Sequence, residues 1–525
     1  SGLKSDEDTR VGEYQEMYQR VGSLRSLFSQ STSFIEPEIL GMENDKLMSF
    51  LDKSERLAVY RFYIEDIIRQ KAHILSPEME DLLAQVSTIA RAPRQIFTMM
   101  DDADIKFDNV TDENGNEVEL TRGRYSQILE STNRKLRKEA SDTYEFTYLD
   151  YENALGACLS SSVTKDWFYT KARGYNTCLE NKLDGDNIPT EVFHNLIETV
   201  NNNLAPLHKY VSLRKKAMGV DTLFKYDMYV PLIADSKMEF TYEEAKDMVI
   251  KGLKPLGKEY MKNFKNGLES RWIDVYETKG KGSGAYNWGS YSVHPYILLN
   301  FVGSINNVFT LAHEMGHAMH AFYTNNTEPI TYYGHTTFCA EVASVCNEAV
   351  LIKYLLEKTK DRNEKLYLLN HYIKQISGTF FTQTMFSEFE LKIHETVEAG
   401  DALSAEKMRK MYRDIYEKYY GPDYYLEENK DLGCLRISHF YRQYYCYTYA
   451  TSYAAAQLMS SKILNKEKGA LDAHKRFLET GVSNHPVEIL KEAGIDMTTP
   501  EPFENVINIF SDLVDEFEKL LLQEG

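Results

Sequence analysis

The sequence contains no apolar run approaching the ~18 residues that a membrane-crossing helix requires, so no transmembrane helix is expected in it. It has no basic block and no arginine-rich arm. Lys and Arg total 60 against 79 Asp and Glu, for a net charge of −19. A chain of that sign is a poor partner for nucleic acid. Cysteine is scarce. Cys158, Cys178, Cys339, Cys346, Cys434 and Cys446 form no C-x-x-C pair and no dense framework, which argues against a disulfide-stapled scaffold and fits a reducing cytoplasm. The polar start, SGLKSDEDTRVGEYQEMY, has no signal-peptide core and no initiator Met, so a processed or trimmed cytoplasmic chain is expected. Internal repeats and low-complexity segments are also missing. What is present is a chain of 525 residues, 43% hydrophobic, enough for roughly two to four domains or one large lobed unit with a sizeable core.

Most of the chain has helical periodicity. Apolar residues recur at three- and four-residue spacing over 47–75, 127–170, 190–218, 242–267, 340–398, 404–420 and 440–464. IKFDNV and EVEL flank TDENGN, whose Asn-Gly pair predicts a hairpin. That hairpin places a boundary near Arg124, between an N-terminal helical domain (1–124) and a second domain (125–525). A further strand-like region runs from RWIDVYE through TKGKGSGAYNWGSY to HPYILLNF. Gly280, Gly282, Gly284 and Gly289 predict a mobile loop in its middle.

Histidine is rare, 13 in all, yet TLAHEMGHAMHAFY places three within eight positions. His313 and His317 are four apart, so both imidazoles lie on one face of a helix. Glu314 sits about 100° around from His313. This is the H-E-x-x-H arrangement that chelates zinc and sets a general base beside it. Val308, Leu311, Met315, Met319 and Phe322 form the opposite, apolar face. A metzincin continuation would need Gly at His320 and His at Tyr323, so that type is excluded. A third ligand is required. The preferred candidate is Glu341 in FCAEVASVCNEAVL. His320 and the thiols Cys339 and Cys346 are its competitors. Glu348, seven residues on, lies on the same face as Glu341 and can accept from the other ring nitrogen of a ligand histidine. The unexceptional alternative makes both glutamates surface charges, but Val342, Ala343, Val345 and Ala349 around them do not resemble a solvated face. Twelve tyrosines crowd Tyr412 to Tyr453. Most are expected to pack helices, and some could line a cleft wall and donate to an oxyanion.

Taken together, SERLAVYRFYIEDIIRQKAHILSPEMEDLL, ARGYNTCLENKLDGDNIPTEVFHNLIETV, GSGAYNWGSYSVHPYILLNF, FTLAHEMGHAMHAFY, FCAEVASVCNEAVL, HFYRQYYCYTYATSYAA and GVSNHPVEILKEAGIDM resemble oligoendopeptidase F, within the thimet oligopeptidase-like zinc peptidases. The resemblance implies a mostly α, gluzincin-type fold: a helical ellipsoid split by a deep channel, with a small β element near the metal. It implies one Zn2+ per chain on His313, His317 and Glu341, Glu314 as base, and Glu348 supporting a ligand. QYYCY places the family's transition-state tyrosine at Tyr447, and His439 and Tyr441 match its channel-wall histidine and tyrosine, although the spacing from that histidine to QYYCY is shorter than in the thimet branch. YILLNF resembles the edge strand that pairs with substrate backbone. The expected activity is endoproteolysis of short unstructured peptides. The competing readings are a metallocarboxypeptidase or dipeptidase on a similar scaffold, and a zinc-stabilised peptide-binding protein without turnover. Retention of Glu314 speaks against the last, since a structural metal site needs no base.

Overall fold

A computed structural model describes residues 1–112, 114–233 and 238–522. Helices form most of it, joined by seven short strands: β1 (Val110–Thr111), β2 (Glu117–Val118), β3 (Leu223–Phe224), β4 (Ile273–Tyr276), β5 (Tyr286–Trp288), β6 (Tyr296–Phe301) and β7 (Tyr424–Tyr425). β1 and β2 make the expected hairpin, with Val110 opposite Val118 and Gly115 at φ +83° in its turn. β3 and β7 pair in parallel across 200 residues of chain.

One continuous apolar core runs from Phe97 to Phe517. Before it, the described helices bury few apolar side chains: Leu47, Leu51, Ile67 and Leu83. The long periodic stretch 47–75 is covered by three α-helices, Asn44–Lys53, Glu55–Ala58 and Arg61–Gln70, and a 3-10 turn, Lys71–His73, with a break where Ser54 turns extended (φ −133°, ψ 108°). The first and third pieces turn Leu47, Leu51 and Ile67 inward, whereas the short middle piece leaves Leu57 exposed. Similarly, 340–398 is interrupted at Asp361, whose carboxylate caps a new helix by accepting from the backbone N–H groups of Asn363 and Glu364.

The three-stranded sheet has the order β4-β6-β5, with β4 parallel and β5 antiparallel to β6. YILLNF (β6) is therefore the central strand, with a neighbour on each side, and not the edge expected from the resemblance. The free edge nearest the histidine helix is β5. It forms inside the glycine-rich stretch expected to be a mobile loop. That stretch is pinned at several points: Asn300 Nδ2 donates to the carbonyls of Gly282 (2.9 Å) and Gly284 (2.8 Å), Gly282 N donates to Asp6 O (2.7 Å), and the Tyr286 hydroxyl donates to Asp6 (2.6 Å). Among the described residues no helix is long and apolar enough to cross a membrane.

Candidate active site

The chain leaves β6 and enters helix Ile305–Thr327 through Ser304. The Ser304 hydroxyl accepts from Asn307 N (3.3 Å), and Asn307 Oδ1 accepts from Ser304 N (3.2 Å). This reciprocal cap fixes where the helix begins. Val308, Leu311, Met315 and Met319 are fully buried on its back, and His313 and His317 project from its front, one turn apart.

Helix Val342–Lys358 crosses that helix in backbone contact. The crossing depends on Gly316: a Cβ there would meet Ser344 Cα at 2.6 Å and Ala343 O at 2.8 Å. Asn347 Nδ2 donates to Ala312 O (3.0 Å) and is itself positioned by the Tyr260 hydroxyl (2.9 Å). The packing brings the start of the second helix beside the histidines, and Glu341 is the residue that caps it. A carboxylate there is favoured by the helix dipole.

The resulting cluster is tight. Glu341 Oε2 lies 3.3 Å from His313 Nε2 and 3.3 Å from His317 Nε2, and the two nitrogens are 3.2 Å apart. Among the described residues this is the only trio of His, Cys, Asp or Glu whose ligand atoms converge within 4.8 Å. Two imidazole nitrogens and a carboxylate oxygen at such separation repel unless a proton or cation lies between them. A tetrahedral zinc with bonds of about 2.0–2.1 Å has ligand–ligand edges of about 3.3–3.4 Å, which the three observed separations match. The electrostatics have the same sign. Burial works against charging His313, but its hydrogen bonds to Glu341 and Glu348 prevail and raise its pKa well above the usual value. Burial would raise Glu341, yet the two histidines hold it well below the normal carboxylate range. The site attracts positive charge.

Supporting contacts orient the trio. His313 Nδ1 donates to Glu348 Oε1 (3.0 Å), which leaves Nε2 facing Glu341. Gln375 Nε2 donates to the other oxygen of Glu348, and the Ser344 hydroxyl donates to Glu341 Oε2 (2.9 Å). Glu314 is buried, and its Oε2 has no hydrogen-bond partner. Burial pushes its carboxyl above the usual range. It opens with His313, His317 and Glu341 onto a cavity of about 610 Å3, walled on one side by β5 and on another by Tyr333 and His335.

The remaining expected residues lie elsewhere. His320 is buried, with its ring stacked on His335 at 3.7 Å, and stands outside the trio. Cys339 and Cys346 are buried, their thiols pushed up to about 12 by desolvation. Tyr447 opens helix Tyr447–Leu464, buried between Phe193 (5.5 Å) and Phe338 (6.2 Å). Tyr441 stacks on Phe97 at 4.2 Å, and its hydroxyl donates to Leu155 O and Leu435 O, both at 3.5 Å. His439 is half-buried beside Tyr445 and Tyr449. None of these three lines the metal cavity as described. His335 does, and burial with the neighbouring His317 lowers its pKa to about 4. No spacing rule identifies it, because it stands alone in a loop.

Comparison with known proteins places the chain among peptidases. The family model of peptidase family M3 matches residues 127–509, and that of oligopeptidase F matches 38–107. Oligopeptidase PepF of Bacillus subtilis is 44% identical over 521 residues, covering 99% of this chain and 78% of that protein. Group B oligopeptidase PepB of Streptococcus agalactiae is 36% identical over 523 residues, 99% of this chain and 86% of its own length. The crystal structure of oligoendopeptidase-F from Enterococcus faecium superposes with a TM-score of 0.80 at 35% identity, covering all of this chain and 89% of that one.

Proposed function

The chain belongs to peptidase family M3, and from that premise we propose that it is a zinc-dependent oligoendopeptidase that cuts internal bonds of short unstructured peptides. The observation that carries the reading is the trio of donor atoms at 3.2–3.3 Å with a buried carboxylate, Glu314, whose Oε2 has no partner, on the same cavity. His313, His317 and Glu341 would hold the ion, and Glu348, Ser344 and Gln375 would keep them aimed. A zinc ion there supplies Lewis acidity, polarising a carbonyl and making water acidic enough to attack near neutral pH.

The protein's own part is positioning and proton transfer. Glu314 takes the attacking water's proton, and its raised pKa suits it to hand that proton to the departing amine. The free edge of β5 offers backbone groups to an extended peptide, which would run along the cavity as a fourth strand. Tyr447, with His439 or Tyr441, would donate to the oxyanion. Since these residues stand outside the cavity lining, this role requires the walls to approach on substrate binding. The six buried free thiols support a cytoplasmic setting.

Peptides blocked by acetyl and amide groups test the reading. An oligoendopeptidase cuts them internally, stops with a chelator and resumes with added zinc. Blocked peptides left intact, while the same unblocked sequences lose terminal residues, would establish a carboxypeptidase or dipeptidase instead.

A further inference from the structure

Besides His313 and His317, the described residues place one more imidazole on the wall of the metal cavity, that of His335. Its ring lies on the ring of His320, with centroids 3.7 Å apart and planes at 23°. His320 is buried and packed against Phe477 at 4.9 Å. It stands three residues after His317 on the same helix, and so on the same side of it. His335 is thereby held about one helical turn along from a metal-site histidine. The loop that carries it is tied on both sides. The Tyr332 hydroxyl accepts from Tyr63 N (3.2 Å), Tyr332 O accepts from Val482 N (2.9 Å), and the Tyr333 ring packs against Tyr291 (5.3 Å). After His335, Cys339 N donates to Thr336 O (3.1 Å). Gly481 permits the close approach, since a Cβ there would meet Tyr332 O at 2.1 Å.

The two ring nitrogens of His335 differ. Nδ1 is buried and has no hydrogen-bond partner among the described residues. The ring borders the metal cavity, so the nitrogen left to face it is Nε2. Enclosure and the neighbouring His317 keep the imidazole neutral, with one proton to place. An N–H shut away unpaired is the rarer and costlier choice, so the proton belongs on Nε2. The result is a fixed N–H donor on the same cavity as His313, Glu314, His317 and Glu341. A packing role accounts for the stack on His320, but not for a donor kept on the cavity side.

We propose that His335 is a further catalytic residue, whose Nε2–H donates to the carbonyl oxygen of the peptide bond being cut. As water adds to the carbonyl carbon, a new C–O bond forms, the water's proton passes to Glu314, and the π pair of the C=O moves onto the oxygen. The negative charge that develops there needs donors. His335 supplies one hydrogen bond and keeps its own proton. Because its loop is already tied in place, it acts without reorganisation, unlike Tyr447, which stands outside the cavity lining. The role rests on the peptidase reading above; the placement of the ring does not.

Two replacements separate the donor from the ring. His335→Phe keeps a flat ring to stack on His320 and removes the N–H. His335→Gln gives up the ring but carries an amide N–H that reaches about as far as Nε2. Each is studied as zinc-loaded protein, with metal content and circular dichroism compared with the parent, on one doubly blocked peptide. His335→Phe should lower kcat by about 10²–10³ with KM within about twofold, and His335→Gln should regain at least about tenfold of that loss. A phosphinic peptide of the same sequence, whose phosphorus-bound oxyanion stands in for the tetrahedral state, reads the contact without turnover. Its affinity should fall at least about tenfold in His335→Phe and less in His335→Gln. A kcat for His335→Phe within a few-fold of the parent overturns the proposal, as does an unchanged phosphinate affinity or a His335→Gln protein no better than His335→Phe. Should one variant not fold, the other still decides: a folded Phe variant with parental kcat, or a folded Gln variant about 10²-fold slower than the parent, overturns it. A parent protein that cleaves nothing at full zinc occupancy refutes the peptidase reading itself, whereas cleavage undiminished by His335→Phe refutes only the role of His335.

Discussion

Glu314 is a buried carboxylate with one oxygen unpartnered, beside three groups that already converge on a common point. Its replacement is therefore informative. Glu314→Gln should keep zinc and lower kcat by about 10²–10⁴, the usual contribution of a general base. Zinc content by elemental analysis and kcat on one peptide suffice, and near-normal turnover at full occupancy would remove Glu314 from the mechanism. Tyr447→Phe asks a narrower question, because a phenyl ring keeps the packing against Phe193 and Phe338 and removes only the hydroxyl. If that hydroxyl donates to the oxyanion, kcat falls by about 10²–10³ with KM little changed. A variant within a few-fold of the parent would assign the role elsewhere, with His335 the histidine already on the cavity wall. At this scale the sequence was readable wherever chemistry and helical period coincide. His313, Glu314 and His317 are legible from a four-residue spacing, and Glu341 and Glu348 from acids in apolar surroundings. His335 and Gln375 were not, since a lone loop histidine and a glutamine among helical residues carry no periodic signal.

Two helices and one strand build the site, and their contacts decide whether those side chains meet. The crossing of Ile305–Thr327 with Val342–Lys358 requires Gly316 to lack a side chain. Ala has the better helix propensity by about 0.8–1.0 kcal/mol. Against that gain, a Cβ 2.6 Å from a backbone Cα forces the helices apart, and overpacking of this kind costs about 1–3 kcal/mol. Gly316→Ala should therefore lower the denaturation midpoint and weaken zinc binding together, because Glu341 moves with the helix it caps. Denaturant unfolding and a competitive chelator titration read the two effects, and an unchanged zinc affinity would show that Glu341 does not depend on this crossing. The glycine stood in plain view between Glu314 and His317, but its role depends on contact with residues 27 and 28 positions away, which local periodicity does not register. The exchange of edge between β6 and β5 has a similar origin. YILLNF has the apolar content of a strand, whereas YNW is short and lies among glycines that suggested a loop; only the pairing partner at Tyr296–Leu298 makes it a strand.

At the scale of the whole molecule, the metal cavity of about 610 Å3 admits a stretch of extended chain, at about 3.3–3.6 Å per residue, and not a folded domain. One peptide sequence, presented free and within a stable folded host, should be cut only when free; equal rates with the host still folded would indicate a general protease. The helical architecture was legible because nearly every long helix has an apolar face turned to the single core that begins at Phe97. The arrangement of tyrosines around that core was not, since Tyr441 and Tyr447 are buried by partners, Phe97 and Phe193, far away in sequence. The central claim is that one metal ion, held by His313, His317 and Glu341, makes this chain a peptidase. It is tested most directly by titrating the metal-free protein with zinc while following cleavage of a doubly blocked peptide. No cleavage is expected at the start, then a linear rise, and a break at one zinc per chain. Cleavage before zinc is added, or no cleavage at full occupancy, would contradict it.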